Sequence, residues 1–247
     1  FFAAFVIAIA IRTQGSIRVA AATSQPFLQI TRGLLLAAEI CVMVFAFVKL
    51  GLIESHAIFA SYPLLVAALS GPILGETVGW RRWTAIAIGF VGVLVILQPG
   101  VGVFSPYAVI PLTSAILFAI YGLLTRYAAQ RDKAATSFFW TGVVGAIGMT
   151  CVGVWFWEPM IGPDWIWMGA LCITGVTGHF LLIKTYEVAE ASAVQPFAYL
   201  QLVFATSIGI TIFGEKLESN VAIGACIVVA AGLFTLLRAR RVNRPDG

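Results

Sequence analysis

Nine strongly apolar runs, joined by gaps too short to fold alone, govern what this chain can become. They span Phe1–Ile11, Phe27–Val48, Ala57–Leu74, Trp83–Leu97, Tyr107–Leu124, Ser137–Trp157, Trp165–Ile183, Ala191–Phe213 and Val221–Leu237. A helix needs about 20 mostly apolar residues, within a range of roughly 17–25, to cross the hydrocarbon core of a bilayer. Most of the runs reach that length once their flanks are counted. The chain is 60% hydrophobic and 11% charged, with a mean hydropathy of +0.98. A soluble domain needs more polar surface than this. The expectation is an all-α polytopic membrane protein.

Charge sets the orientation. With the gaps assigned alternately to two sides, one side receives Arg12, Arg18, Arg32, Arg81, Arg82, Arg126, Arg131, Lys133, Lys184, Arg238, Arg240, Arg241 and Arg244, and the other only Lys49 and Lys216. Excess Lys and Arg mark the cytoplasmic side. The basic tail at 238–247 is therefore expected in the cytoplasm, and the net charge of +4 reports topology and not nucleic-acid binding. Phe1 opens on an apolar run half the length of a span, which reads as a position inside a helix of a longer chain. Cys41, Cys151, Cys172 and Cys226 lie within apolar runs with no metal-ligand spacing, so they read as small core residues.

Two segments repeat. Ala57–Ile96 and Ser192–Leu237 each read as an apolar helix ending in Gly-Glu, a polar turn, and a second helix with spaced small residues. Aligning Gly75-Glu76 on Gly214-Glu215 gives an offset of 139 residues (214 − 75), which also pairs Ala85 with Gly224 and Gly92 with Ala231. Such small residues let membrane helices approach closely. Helix parity places the two turns on opposite sides, and inverted repeats of this kind are the mark of secondary transporters. The chain divides into a first repeat at 1–98 and a second at 105–237. The second shows five helices and the first only four, one of them cut. The expectation is an inverted-repeat helical bundle with nine helices here, the first partial, of ten.

These residues resemble the EamA-type branch of the drug/metabolite transporter superfamily. The run Gln195-Pro196-Phe197-Ala198-Tyr199-Leu200-Gln201-Leu202 leading to Gly214-Glu215 is similar to the branch's ninth helix and following turn. Pro63 with Gly75-Glu76 looks like the fourth helix, Arg32-Gly33 like the start of the third, and Gly178-His179 like the eighth. The resemblance covers essentially the whole chain. It implies a carrier of amino acids, S-adenosylmethionine, riboflavin or another metabolite.

Polar groups at membrane depth are few and costly, by ~2.5–3.5 kcal/mol for a central charge on insertion scales, so each is a candidate for the transport path. Glu39 lies mid-run and reads as a proton-coupling carboxylate, as a partner for a cationic substrate group, or as a structural residue, either in an ion pair or as a protonated, hydrogen-bonded glutamic acid. His179 stands alone among apolar residues. Gln195 and Tyr199 share a helix face at i, i+4, with Gln201 beyond them. Tyr62 is the counterpart in the first half, and Tyr121 can line the same space. Gly75, Glu76, Gly214 and Glu215 read as structural turns, the two glutamates capping or pairing locally. Lys184, Glu187 and Glu190 read as a solvated helix end, and His56 as interfacial.

Enzymatic readings lack their motifs. No HExxH, no pair of intramembrane aspartates, no GxSxG and no Gly-rich phosphate loop occurs; Asp132, Asp164 and Asp246 fall in gaps or the tail. Nothing in the sequence asks for a cofactor or metal. The partners expected are a small-molecule substrate, the lipid bilayer and a coupling proton, with no nucleic acid. The expected function is secondary transport, by alternating access, of a small polar metabolite (an amino acid or a relative of one) across the inner or plasma membrane.

Overall fold

Each apolar run that falls within the described residues forms helix. The computed structural model describes residues 6–8, 11–12, 15–75, 79–97 and 106–242. Among them are α1 (Ile17–Ala21), α2 (Pro26–Phe59), α3 (Tyr62–Leu74), α4 (Trp80–Leu97), α5 (Val109–Ala128), α6 (Ala134–Gly153), α7 (Gly162–Val188), α8 (Ala191–Ala198), α9 (Leu200–Thr211) and α10 (Ser219–Val242). The expected partial helix at 1–11 falls largely outside these residues, as does Glu76. α10 continues past Leu237 into the basic segment, whose Arg and Ala are good helix formers.

Among the described residues, four helical spans are long and apolar enough to cross a membrane: Pro26–Phe59, Pro106–Ala128, Ala134–Phe156 and Gly162–Val188. Two further runs are delivered in pieces. Gly51 adopts φ 77°, ψ −178° inside α2 and splits off residues 52–59 across a kink. A side chain would strain that conformation. The chain then turns at Ala60–Ser61 and restarts as α3 with Pro63 in its first turn. Proline has no N–H to offer the Phe59 carbonyl, so the helix cannot run through.

In the second half the interruption falls at Tyr199, between α8 and α9. The 139-residue offset carries Ala60 onto Tyr199, so the two breaks coincide to within a residue. Their backbones also agree, with φ −73°, ψ −20° at Ser61 and φ −67°, ψ −17° at Tyr199. Gly75 (φ 73°) and Gly214 (φ 66°) are both left-handed, so the paired glycines share a backbone conformation.

The chain forms two compact units, one from 1–38 and 124–189, the other from 39–123 and 190–247. Each draws helices from both sequence repeats. The first has a core of Val6, Ala20, Ala134, Phe138, Phe139, Val176 and Ile183, where α6 packs on α7 and α1 on α6. Much of α7 is exposed, including Ile166, Leu171 and Ile173. Exposed Trp155, Trp157, Trp165 and Trp167 mark its α6–α7 end as an aromatic belt would.

The second unit buries Ile53, Ile58, Leu64, Ile86, Val93, Tyr199, Leu202 and Val228. There α4 lies along α10, and α8 packs on α3 and α10. A Cβ on Gly92 would sit 2.8 Å from the Gly224 carbonyl oxygen, and one on Gly224 2.5 Å from that of Gly92. Only hydrogen fits at this crossing, which is the close approach that small residues permit. Elsewhere on the two helices Ile88, Val91, Ile223 and Phe234 are exposed.

Candidate functional site: a carboxylate beside an aromatic wall

Within the second unit, α5 presents one face bearing Ser114, Phe118 and Tyr121, spaced i, i+4, i+7 as a helix stripe requires. Glu39 meets it from α2. The Ser114 hydroxyl donates to Glu39 Oε1 at 2.7 Å, and both residues are buried. One turn along, the Phe118 ring meets Tyr62 edge to face at 4.8 Å and Phe59 at 5.5 Å. Tyr121 follows at 5.9 Å. Phe59 lies 4.9 Å from Tyr62. His56 extends the series, stacked on Phe47 at 5.1 Å, with its Nδ1 2.9 Å from the Leu52 carbonyl oxygen.

Chemically this is a carboxylate bonded at Ser114, one turn along α5 from a run of aromatic rings. The carboxylate can hold a cation or exchange a proton. The rings can hold a desolvated cation over their faces or stack on a planar heterocycle. Glu39 and Tyr62 thus reach the α5 face that Tyr121 shares, Glu39 at Ser114 and the two tyrosines at Phe118. Ser114, Phe118 and Phe59 complete the group. The i, i+4, i+7 stripe on the Tyr107–Leu124 run was the one local signal for Ser114 and Phe118.

The other candidates are placed differently. Tyr199 is buried at its helix break, its ring so close to Gly232 that a Cβ there would overlap Cε2. Gln195 is buried too, and its amide turns back to donate to the Ala191 carbonyl at 2.7 Å. Gln201 is exposed. His179 is half-buried on α7, in the first unit.

The first unit holds a polar cluster of its own. Arg32, which the charge pattern groups with the gap residues, is fully buried, because α2 begins at Pro26 and carries Arg32 inward. Its guanidinium donates to Gln29 Oε1, to Thr125 Oγ1 at 3.1 Å and to Thr141 Oγ1 at 3.4 Å. The Gln29 amide in turn donates to Asp132 Oδ2 at 2.7 Å and Ser137 Oγ at 3.2 Å. Thr23 also donates to Asp132. Nearby, Glu187 pairs with Lys184 at 2.8 Å and accepts from the Ala134 amide at 3.0 Å. It is therefore a cap for α6 as well as part of an exposed ion pair.

Glu215 does not cap locally as its turn position suggests. Its two carboxylate oxygens accept from the amides of Leu52 at 2.7 Å and Ile53 at 2.8 Å. These are the first residues after the Gly51 kink.

Comparison with known proteins agrees with this architecture. The chain is 27% identical over 222 residues to the S-adenosylmethionine uptake transporter of Rickettsia prowazekii (strain Madrid E), covering 89% of this chain and 74% of that protein. It is 28% identical over 224 residues to the riboflavin transporter of Rhizobium johnstonii (strain DSM 114642 / LMG 32736 / 3841), covering 90% and 74%. A solved crystal structure shares the fold with a TM-score of 0.70 at 18% identity, over 97% of this chain and 86% of that one. The profile of the EamA-like transporter family matches residues 106–237. This is a multi-pass membrane protein, and it belongs to the EamA-like transporter family of the drug/metabolite transporter superfamily.

Proposed function

We propose that this transporter takes up a cationic small metabolite built like S-adenosylmethionine, with the Glu39 carboxylate and the Phe59–Tyr62–Phe118 rings as its recognition surface. The observation that carries this reading is Glu39 itself, an acid on an apolar membrane helix, bonded to Ser114 on the α5 face whose Phe118 meets Tyr62 edge to face. S-adenosylmethionine offers a sulfonium and an ammonium to the carboxylate and an adenine to the rings. The names of several relatives point the same way. Riboflavin is the second reading, supported by other relatives. It uses the rings for stacking but has no cation for Glu39.

The rings pack on one another in the arrangement described, so a ligand enters only when Phe118 or Tyr62 moves. Interrupted helices at equivalent points of two inverted repeats (1–98 and 105–237) are the usual framework for such movement. In this reading the C-terminus is cytoplasmic and a proton exchanging at Glu39 couples transport. The test is a proteoliposome uptake panel with S-adenosylmethionine, riboflavin and amino acids, each with and without a proton gradient. Saturable S-adenosylmethionine uptake that the gradient stimulates supports the reading. Uptake of riboflavin alone, or of amino acids alone, rejects it.

A further inference from the structure

We infer that Glu215 is a positioning residue of the transport cycle, a cap supplied from a distant turn that holds segment 52–59 against α5. This rests on membership of a transporter family and not on which metabolite is carried. The first amides of any helix lack internal acceptors and need partners from elsewhere. At this restart the preceding residue is Gly51, which has no side chain to serve as a cap. Both oxygens of Glu215 supply the missing acceptors, from 163 and 162 residues away. The carboxylate also sits where the positive end of the helix dipole favours it.

The glutamate is itself held in place. Its amide donates to the Gly209 carbonyl at 2.9 Å, and Gly214 is left-handed at φ 66°, so the end of α9 wraps tightly. A Cβ on Gly209 would fall 2.6 Å from Ile53 Cγ1, and one on Gly51 3.0 Å from Glu215 Oε1. The two strands of chain approach so closely that each contributes a glycine.

The consequence lies downstream. Residues 52–59 form about two turns, too few to persist as an isolated helix. That short piece sets His56 on Phe47 and Phe59 on Phe118. It leads directly into the break before Tyr62. Releasing the cap therefore loosens one side of the aromatic wall without touching Glu39 or Ser114.

Hydrogen exchange of the full chain in lipid nanodiscs, read peptide by peptide, tests the inference with E215Q and E215D. In E215Q one acceptor oxygen is replaced by an NH2 group that faces an amide donor. Exchange at Leu52 and Ile53 should rise about tenfold, the size of a lost helix cap, while peptides of α10 keep their wild-type rates. E215D should recover most of the protection. In proteoliposomes, E215Q should raise the KM for S-adenosylmethionine about tenfold, and E215D less. Unchanged exchange in E215Q overturns the inference. So does exchange that rises equally in every helix, which marks a general structural role, and so does a KM within twofold of wild type once the amides have opened. If wild type carries no S-adenosylmethionine, the substrate reading fails and the exchange pattern alone decides the role of Glu215.

Discussion

Ser114 Oγ donates to Glu39 Oε1 across 2.7 Å, tying the carboxylate on α2 to the same face of α5 that carries Phe118 and Tyr121. A hydrogen bond to a charged group contributes about 1.5–3 kcal/mol, and stranding the charge costs more. Glu39→Gln keeps a partner for Ser114 and removes only the charge. It should leave folding and membrane level near wild type and reduce S-adenosylmethionine uptake at least tenfold. Wild-type uptake should also vary with pH where that of Glu39→Gln is flat. Normal uptake by the variant at every pH tested would make Glu39 a structural residue.

Phe118 separates ring contact from charge. Phe118→Ala removes edge-to-face and tilted pairs that contribute about 0.5–1.5 kcal/mol each, so the KM should rise roughly tenfold. Phe118→Tyr should stay within a few-fold. The two candidate substrates divide at this point. Phe118→Ala should weaken uptake of either, whereas Glu39→Gln should spare riboflavin. Initial rates over a concentration series measure both.

In the first unit, Arg32 is a matter of stability. Its guanidinium reaches Gln29, Thr125 and Thr141 together, a spread that the point charge of lysine does not reproduce. Arg32→Ala should destabilise the protein by about 3–5 kcal/mol, the range for breaking a buried charged network, and Arg32→Lys should recover only part. Thermal unfolding in detergent reads this directly. Equal melting temperatures for wild type and Arg32→Lys would show that geometry is irrelevant there.

The α4–α10 crossing makes a purely structural prediction. Gly92→Leu and Gly224→Leu should each cost at least ~1–3 kcal/mol by overpacking, because each Cβ would meet the other glycine's backbone carbonyl oxygen, which cannot give way as a side chain can. Gly175 has open space where its Cβ would lie, so Gly175→Ala should be neutral or slightly stabilising. Melting temperatures of the three variants rank them.

Topology is testable without a substrate. Alkaline phosphatase fused after Gly247 should be inactive and a fluorescent protein at the same place bright, since both report a cytoplasmic C-terminus. The reverse pattern would invert the orientation and with it the charge argument.

Local chemistry was enough to locate the helices. Apolar length and composition are properties of a single segment, so Phe27–Val48, Ser137–Trp157 and Trp165–Ile183 could be assigned from their own residues. So could the turns at Gly75 and Gly214, where the repeat and the need for a left-handed residue coincide. The run Ala57–Leu74 reads as one helix, and Pro63 accounts for the break before Tyr62 once it is seen, because a missing N–H acts on its own helix. Glu39 stood out because a carboxylate in an apolar run is costly wherever the run packs.

Tertiary structure decided what each of these residues meets. Nothing near Gly51 announces a kink, since the acceptors that stabilise it come from Glu215. Arg32 looks like a loop cation until α2 is seen to begin before it and α5 and α6 to supply its hydroxyl partners. Phe118 is one phenylalanine of 18, and only the register of α5 against Phe59 and Tyr62 makes it part of a site. Helix formation is settled by neighbours within a turn or two, whereas caps, buried charges and aromatic walls depend on segments dozens to well over a hundred residues away, whose approach no local pattern records.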